Sequence, residues 1–271
     1  MQFSLYIIST PIGNLKDISL RAIDILRTVD HILCEDTRIS SKLLKSVEIK
    51  ADLIVYNDHN ATKVIPKVIE RIESQSKTFA LISDAGTPLV SDPGYKLVNA
   101  CIENEINFTF IPGPSAVISA LVLSGMPSDR FMFAGFADSG NFTELSKIDS
   151  TLIFFESPNR VIKTLDQMSK IFKKRKVAVV REITKIFESS VRGSFDFVIN
   201  HFKNNPPRGE FVILLSPPEF SESDKTAELI PLITALSDRI SKKDLSSILA
   251  KFSGISKNAI YSFISAHEEK I

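Results

Sequence analysis

The stretch FALISDAGTPLVSDPGYKLVNACIE, residues 79–103, decides the reading of the fold. Phe79–Ser83 is a short apolar run of strand length. A segment rich in Asp, Gly, Thr, Pro and Ser follows, which is turn chemistry. From Tyr95 to Glu103 the apolar residues recur at spacings of three and four, which predicts a helix. The same strand, loop and helix rhythm extends outward on both sides. Upstream, strands are expected at Leu5–Ser9, His31–Cys34 and Leu53–Tyr56, with helices at Leu20–Val29 and Val64–Ile72. Downstream, Phe108–Ile111 supplies a fifth strand. Alternation of this kind argues for a mainly parallel sheet with helices on both faces.

The rhythm changes at PGPSAVISALVLSG, residues 112–125, where two prolines and a glycine precede an apolar helix. Further strands are expected at Phe131–Ala134, Leu152–Phe155, Val177–Val180, Phe195–Val198 and Phe211–Leu215, with one clear helix at Val161–Phe172. Many strands and few helices imply a mixed sheet. After Pro217-Pro218 a polar linker, residues 219–225, leads into a helical remainder. The expected organisation is an α/β chain in three parts: residues 1–113, mainly parallel; 114–218, α+β; and 226–271, a small helical appendage.

With 271 residues, the chain is long enough for two moderate domains. A hydrophobic share of 44% allows a sizeable core, and 33 Lys plus Arg against 32 Asp plus Glu exclude a strongly basic coat. Cys34 and Cys101 are too few for a disulfide framework, which favours a reducing compartment. The opening MQFSLYIISTPIGN has no basic leader, and no apolar run reaches the ~18 residues of a membrane span. A soluble cytoplasmic protein is expected.

Polar clusters follow nearly every strand. Thr10–Asn14, Glu35–Arg38, Asp58–Asn60, Asp84–Pro88, Pro112–Ser115, Glu156-Ser157 and Arg181-Glu182 all stand directly after apolar runs. In open α/β sheets the ligand crevice lies at the carboxyl ends of the strands, so these clusters converge on one rim. Each also has a bland reading. Asp-Ala-Gly-Thr-Pro alone is as well explained as a turn, although Ser91-Asp92-Pro93-Gly94 just downstream favours a ligand-shaping loop. Glu35–Arg38 reads equally as a self-neutralising cluster before a helix capped by Thr37 or Ser40. Histidines 31, 59, 201 and 267 show no metal-ligand spacing, so no metal is expected. GxGxxG and GxxxxGK[ST] are absent and there are only 10 glycines, which removes dinucleotide and NTP-hydrolysing readings.

Six motifs in order resemble one family. They are LYIISTPIGNLKDISLRA (5–22), CEDTRISSKLL (34–44), LISDAGTPLVSDPGYKLV (81–98), IPGPSAVISALVLSGMPSDRF (111–131), TLIFFESPNRV (151–161) and RGEFVIL (208–214). The chain resembles the bacterial 16S ribosomal RNA (cytidine-2′-O)-methyltransferases of the tetrapyrrole-methylase superfamily. That resemblance implies a homodimeric, two-domain enzyme using S-adenosylmethionine on a cytidine ribose of the small ribosomal subunit, near the decoding centre. It assigns the methyl donor to Pro11, Ile12 and Gly13, to Asp84, Ala85, Gly86 and Thr87, to Ser115 and Ala116, and to Phe154, Phe155 and Glu156. A ribose hydroxyl is a weak acid, so a base assists its attack. Glu35, Asp36 and Glu182 are the candidates, with Arg38 and Lys185 placed to orient ribose or phosphate. Relatives acting on tetrapyrroles or protein side chains remain an alternative.

Charge and the C-terminus add two further expectations. Between residues 159 and 192 ten Lys or Arg face three acids. The bland reading is a solvated loop around Lys173–Lys176. The functional one is RNA docking through Arg160, Lys173, Lys174 and Lys176. The family's basic loop after Phe136 is here the acidic ADSGNFTELSKIDS, residues 137–150. Residues 241–265 suggest a helix-turn-helix: Ser241 and Asp244 as a capping box, then a stripe of Leu245, Ile248, Leu249 and Phe252 before Gly254. A second helix then opens at Ser256. A non-catalytic nucleic-acid-binding protein is therefore the rival class, although a docking appendage suits these helices better.

Overall fold

The computed structural model describes residues 3–139, 141–219 and 229–268. They form two compact units, residues 1–171 with 176–217 and residues 172–175 with 218–271.

The first unit opens with five parallel strands: β1 (Leu5–Ile8), β2 (His31–Cys34), β3 (Asp52–Val55), β4 (Phe79–Ile82) and β5 (Phe108–Ile111). Their order is β3-β2-β4-β1-β5. Helices α1 (Leu20–Thr28), α2 (Thr37–Ser46), α3 (Ala61–Gln75) and α4 (Tyr95–Glu103) connect them. Alternation along each strand sends side chains to opposite faces. Leu81 packs with Val68 and Ile72 of α3 and Leu97 of α4, whereas Ala80 and Ile82 pack with Leu26 of α1 and Leu43 of α2. Helix α2 is capped by Asp36, whose carboxylate accepts from the Arg38 N–H at 2.8 Å. The cap is therefore neither Thr37 nor Ser40: both lie inside the helix, and Asp36 alone keeps the extended backbone of a cap.

From β1 the chain moves outward to β2 and β3, returns to β4 beside β1, and then reaches β5 on the other flank. The connections leaving the neighbouring strands β4 and β1 thus run to opposite flanks of the sheet. The loops leaving these two strands are neighbours, joined by Thr10 N–H to Gly86 O at 2.8 Å and Gly86 N–H to Thr10 O at 3.1 Å.

A second five-stranded sheet follows in the same unit: β6 (Phe131–Phe136), β7 (Thr151–Glu156), β8 (Val177–Arg181), β9 (Ser189–Gly193) and β10 (Phe211–Leu215), ordered β6-β7-β10-β8-β9. Only β6 and β7 pair in parallel. Helix α5 (Ala116–Ser124) lays Val117, Ala120 and Leu121 against Ala178, Val180, Val212 and Leu214. Two elements depart from expectation. Phe195–Val198 is not a strand but the start of a helix, Phe195–Asn204. Ser194 caps it, and its buried residues Phe195, Val198, Ile199 and Phe202 follow helical spacing. The fifth strand is instead β9, whose sequence SSVRG has no apolar run.

In the second unit, helices Ile230–Leu236, Lys242–Ser253 and Lys257–Glu268 enclose Ile233, Leu245, Leu249, Ile255, Ile260 and Ile264. Ser241 Oγ accepts from the Asp244 N–H at 3.2 Å, and Gly254 ends its helix at φ +68°. The expected stripe divides: Leu245 and Leu249 are buried, but Ile248 is exposed and Phe252 is 86% exposed. The linker expected at 219–225 lies, beyond Glu219, outside the described residues. Among the described residues no helix is long and apolar enough to cross a membrane.

Candidate active site

The carboxyl ends of neighbouring strands whose connections leave in opposite directions, here β4 and β1, are where an open α/β sheet offers a ligand crevice. A cavity of about 310 Å³ lies there. The loop after β1 contributes Ile12, and the loop after β4 contributes Ala85 to Thr87 and Val90 to Asp92. The first turn of α5 adds Ser115 to Val117, and the second sheet adds Phe136, Phe155, Glu156, Ile183 and the segment Glu210–Val212. Both loops are fixed from below. Thr10 Oγ1 donates to Ser83 O at 3.0 Å, Ser83 Oγ to Gly86 O at 3.1 Å, and Thr87 Oγ1 to Pro114 O at 3.1 Å. Gly86 sits at φ +87°, a conformation that side chains disfavour, and a Cβ there would stand 3.4 Å from Ile12.

Beside this cavity is an open groove bordered by Glu35, Asn57, Asp58, His59, Ser91, Asp92 and Pro93. The carboxyls of Glu35 and Asp92 are perturbed. Burial, then Asp84, Asp58 and Asp36, push Glu35 up from the usual carboxylate range. Burial pushes Asp92 up to about 6, against a hydrogen bond from Ser83 and with help from Glu35 and Asp84. Asp84 is also raised by burial.

The expected site residues separate into groups. Ile12, Ala85, Gly86, Thr87, Ser115, Ala116, Phe155 and Glu156 border the cavity. Pro11, Gly13, Asp84 and Phe154 do not. Phe154 is fully buried on the other side of its strand, edge-on to Phe142. Asp84 turns toward the loop after β2, where Oδ1 accepts from the Asp36 N–H at 3.1 Å. The Glu156 carboxylate is committed: it accepts from Arg160 Nε at 2.8 Å and Thr164 Oγ1 at 2.6 Å.

Of the expected catalytic residues, only Glu35 borders the groove. Asp36 is gripped by Arg38, with Nη2 to Oδ2 at 2.6 Å, and this pairing lowers its carboxyl to about 2. Glu182 and Lys185 form a separate cluster with Glu210, with Lys185 Nζ 2.9 Å from Glu182 and 3.0 Å from Glu210. Burial would raise Glu182, but the bonds from Lys185 and the Glu210 N–H outweigh it and hold its carboxyl low. Burial would lower Lys185, and its two carboxylate partners outweigh that and raise it. Among the expected RNA-docking residues, Arg160 is shared between Glu156 and Asp138, the latter at 2.9 Å. Lys173, Lys174 and Lys176 are exposed, whereas Arg175 between them is buried with its guanidinium over the Phe172 ring.

A profile of tetrapyrrole (corrin/porphyrin) methylases matches residues 4–197, from β1 into the helix after β9. The chain belongs to the tetrapyrrole methylase family. A Rickettsia prowazekii relative named ribosomal RNA small subunit methyltransferase I is 42% identical over 279 aligned positions, covering 100% of this chain and 98% of that protein. A Mesorhizobium japonicum protein of the same name is 41% identical over 266 positions, covering 95% of this chain and 90% of that one. Two solved structures share the fold. A cobalt precorrin-4 methyltransferase of cobalamin biosynthesis has a TM-score of 0.59 at 19% identity, over 78% of this chain and 94% of its own. A diphthine synthase has 0.61 at 15%, over 79% and 90%.

Several wall residues of this tetrapyrrole-methylase cavity escaped the reading by sequence: Val90, Val117, Phe136, Ile183 and Glu210–Val212. Glu210 and Phe211 stand inside the RGEFVIL motif, which carried the resemblance without a role. Nothing in a single strand shows that it will close the far side of a cavity begun by another sheet.

Proposed function

We propose that this protein is a methyltransferase that moves a methyl group from S-adenosylmethionine to the 2′-hydroxyl of a cytidine in 16S ribosomal RNA, near the decoding centre. The observation that carries the reading is likeness over the whole length to proteins named ribosomal RNA small subunit methyltransferase I, at 41–42% identity. The structural likenesses at 15% and 19% identity speak for the fold alone.

The cavity suits the donor chemically. Apolar walls from Ile12, Val90, Val117 and Ile183 fit a flat adenine, and Asp92 and Glu210 offer negative charge to a cationic molecule. The N-terminal turn of α5 presents backbone N–H groups that suit a carboxylate. When bound, the donor supplies an electrophilic methyl group on a sulfonium. The chain's part is to fix that group, exclude water and hold the ribose hydroxyl in line, which can lower the barrier by several kcal/mol, up to ~7–11. Asp36 and Glu182, held low by cationic partners, are poor proton acceptors. The raised carboxyls of the groove are better ones.

Lys173, Lys174 and Lys176 are proposed to meet RNA phosphates, with Arg160 in support. A homodimer is proposed as the working form. Val122 is 75%, Ile186 95% and Phe187 69% exposed, apolar surface that a second copy would cover. The cytoplasm, where ribosomes work, is the proposed compartment.

The test incubates the protein with labelled S-adenosylmethionine and 30S subunits lacking the modification, then separates RNA from ribosomal protein. Label in 16S RNA is expected. Label in protein alone, or none despite donor binding in calorimetry, would overturn the reading.

A further inference from the structure

The cavity and the groove share one short stretch of lining. Among the described residues, only Ser91 and Asp92 border both. An in-line displacement requires the attacking oxygen within about 3–3.5 Å of the methyl carbon. With the donor in the cavity and the ribose entering from the groove, reaction is confined to that shared wall. Asp92 carries its only carboxyl. We propose that Asp92 is the catalytic residue that accepts the ribose proton, an inference that rests on the methyl-transfer reading above.

The step balances. As the ribose 2′-oxygen bonds the methyl carbon, the carbon–sulfur bond breaks with its electron pair kept on sulfur. The hydroxyl proton passes to an Asp92 carboxylate oxygen and leaves to solvent through the groove.

The loop is built to hold this carboxyl in place. Leu89 and Ser91 take left-handed backbone at φ 75° and 63°, a conformation non-glycine residues rarely accept, and Val90 N–H bonds to Thr87 O at 3.2 Å. Gly94 then lies so close to Leu89 that a Cβ would meet its Cδ1 at 2.5 Å. The groups that face Asp92 come from each neighbouring loop. Glu35 follows β2, Asp84 follows β4, and Asp58 and His59 follow β3, with Lys96 3.9 Å from Asp58. Burial first, then the Glu35 and Asp84 charges, leave the Asp92 carboxyl at about 6. It is then ionised at neutral pH yet more basic than an ordinary carboxylate, which suits a proton acceptor. The competing acids are otherwise engaged: Asp36 by Arg38, Glu182 by Lys185, while Glu35 borders only the groove.

The experiment measures methyl transfer to unmethylated 30S subunits against pH for the native protein and for Asp92→Asn, Asp92→Glu and Glu35→Gln, with calorimetric melting as the check that each is folded. Native kcat/KM is expected to rise with pH through about 6. Asp92→Asn should lose about 100-fold or more in kcat together with that rise, and Asp92→Glu should recover part of it. Glu35→Gln, by removing a like charge, should move the rise to lower pH. Asp92→Asn within threefold of the native rate, or an unchanged pH limb, would overturn the role of Asp92 alone. A native protein that transfers no methyl to RNA would overturn the methyl-transfer reading and this inference with it.

Discussion

Gly13→Ala is the sharpest perturbation of the cavity's architecture. Gly13 lies where the loop after β1 meets the loop after β8. A Cβ there would stand 2.7 Å from Lys185 Cγ, 2.8 Å from Thr184 Oγ1 and 2.9 Å from the Ile183 carbonyl oxygen. None of the three can yield freely. Lys185 is tethered at Nζ by Glu182 and Glu210, and Thr184 Oγ1 accepts from the Asn14 N–H at 3.1 Å. Ile183 O is backbone, in a segment whose neighbours Glu182 and Thr184 already hold φ of 51° and 65°. Overpacking of this kind costs about 1–3 kcal/mol, and loss of the Asn14–Thr184 bond adds about 1 kcal/mol. For a unit of this size the sum lowers the melting temperature by roughly 4–16 °C. Because Ile12 and Ile183 both wall the cavity, the same shift should weaken donor binding. Calorimetric melting and donor titration of the two proteins measure both effects. A variant that melts within 1 °C of the native protein and binds the donor equally would refute the interlock.

Two further predictions concern charge. Asp30 accepts from Lys77 Nζ at 2.8 Å, Thr78 N at 2.8 Å and Thr78 Oγ1 at 2.9 Å, and the lysine, then the threonine bonds, hold its carboxyl far below the ordinary range. A depressed carboxyl stabilises the fold above its unfolded pKa of about 3.9 and loses that contribution as pH falls. Asp30→Asn should cost about 1–2 kcal/mol at pH 7 in urea melts and almost nothing at the acid end; an equal cost at both ends would contradict this. Reversing Lys173, Lys174 and Lys176 to Glu should weaken 30S binding at low salt and flatten the salt dependence by about 0.7–0.9 log units for each phosphate no longer neutralised. An unchanged slope would remove these lysines from the RNA interface.

The parallel sheet was legible because its three central strands are buried and, like the more exposed edge strands, read as apolar runs. The second sheet was less so. FDFV at 195–198 is too short to tell strand from helix by pattern, and Ser194 as a cap was the clue that decides it. SSVRG at 189–193 is an edge strand with no residue fully buried, so it left no apolar signal. Period-two alternation shows why Phe154 and Phe155 cannot both wall one cavity: Phe155 does, and Phe154 faces the other way. Most loops of the site were visible as polar clusters after strands. Which carboxyl among them stands at the junction of cavity and groove was not, since that depends on three loops meeting in space. The local clue to Asp92 was its place in the SDPG turn, and it pointed only to a ligand-shaping loop.

The central claim is tested most directly by mapping the modified linkage. Unmethylated 30S subunits, treated with the protein and S-adenosylmethionine, are hydrolysed in alkali, which cleaves only beside a free 2′-hydroxyl. One new alkali-resistant linkage at a single 16S cytidine near the decoding centre is the predicted result. A methyl group found on a base, or a cleavage ladder identical to that of untreated RNA, would contradict it.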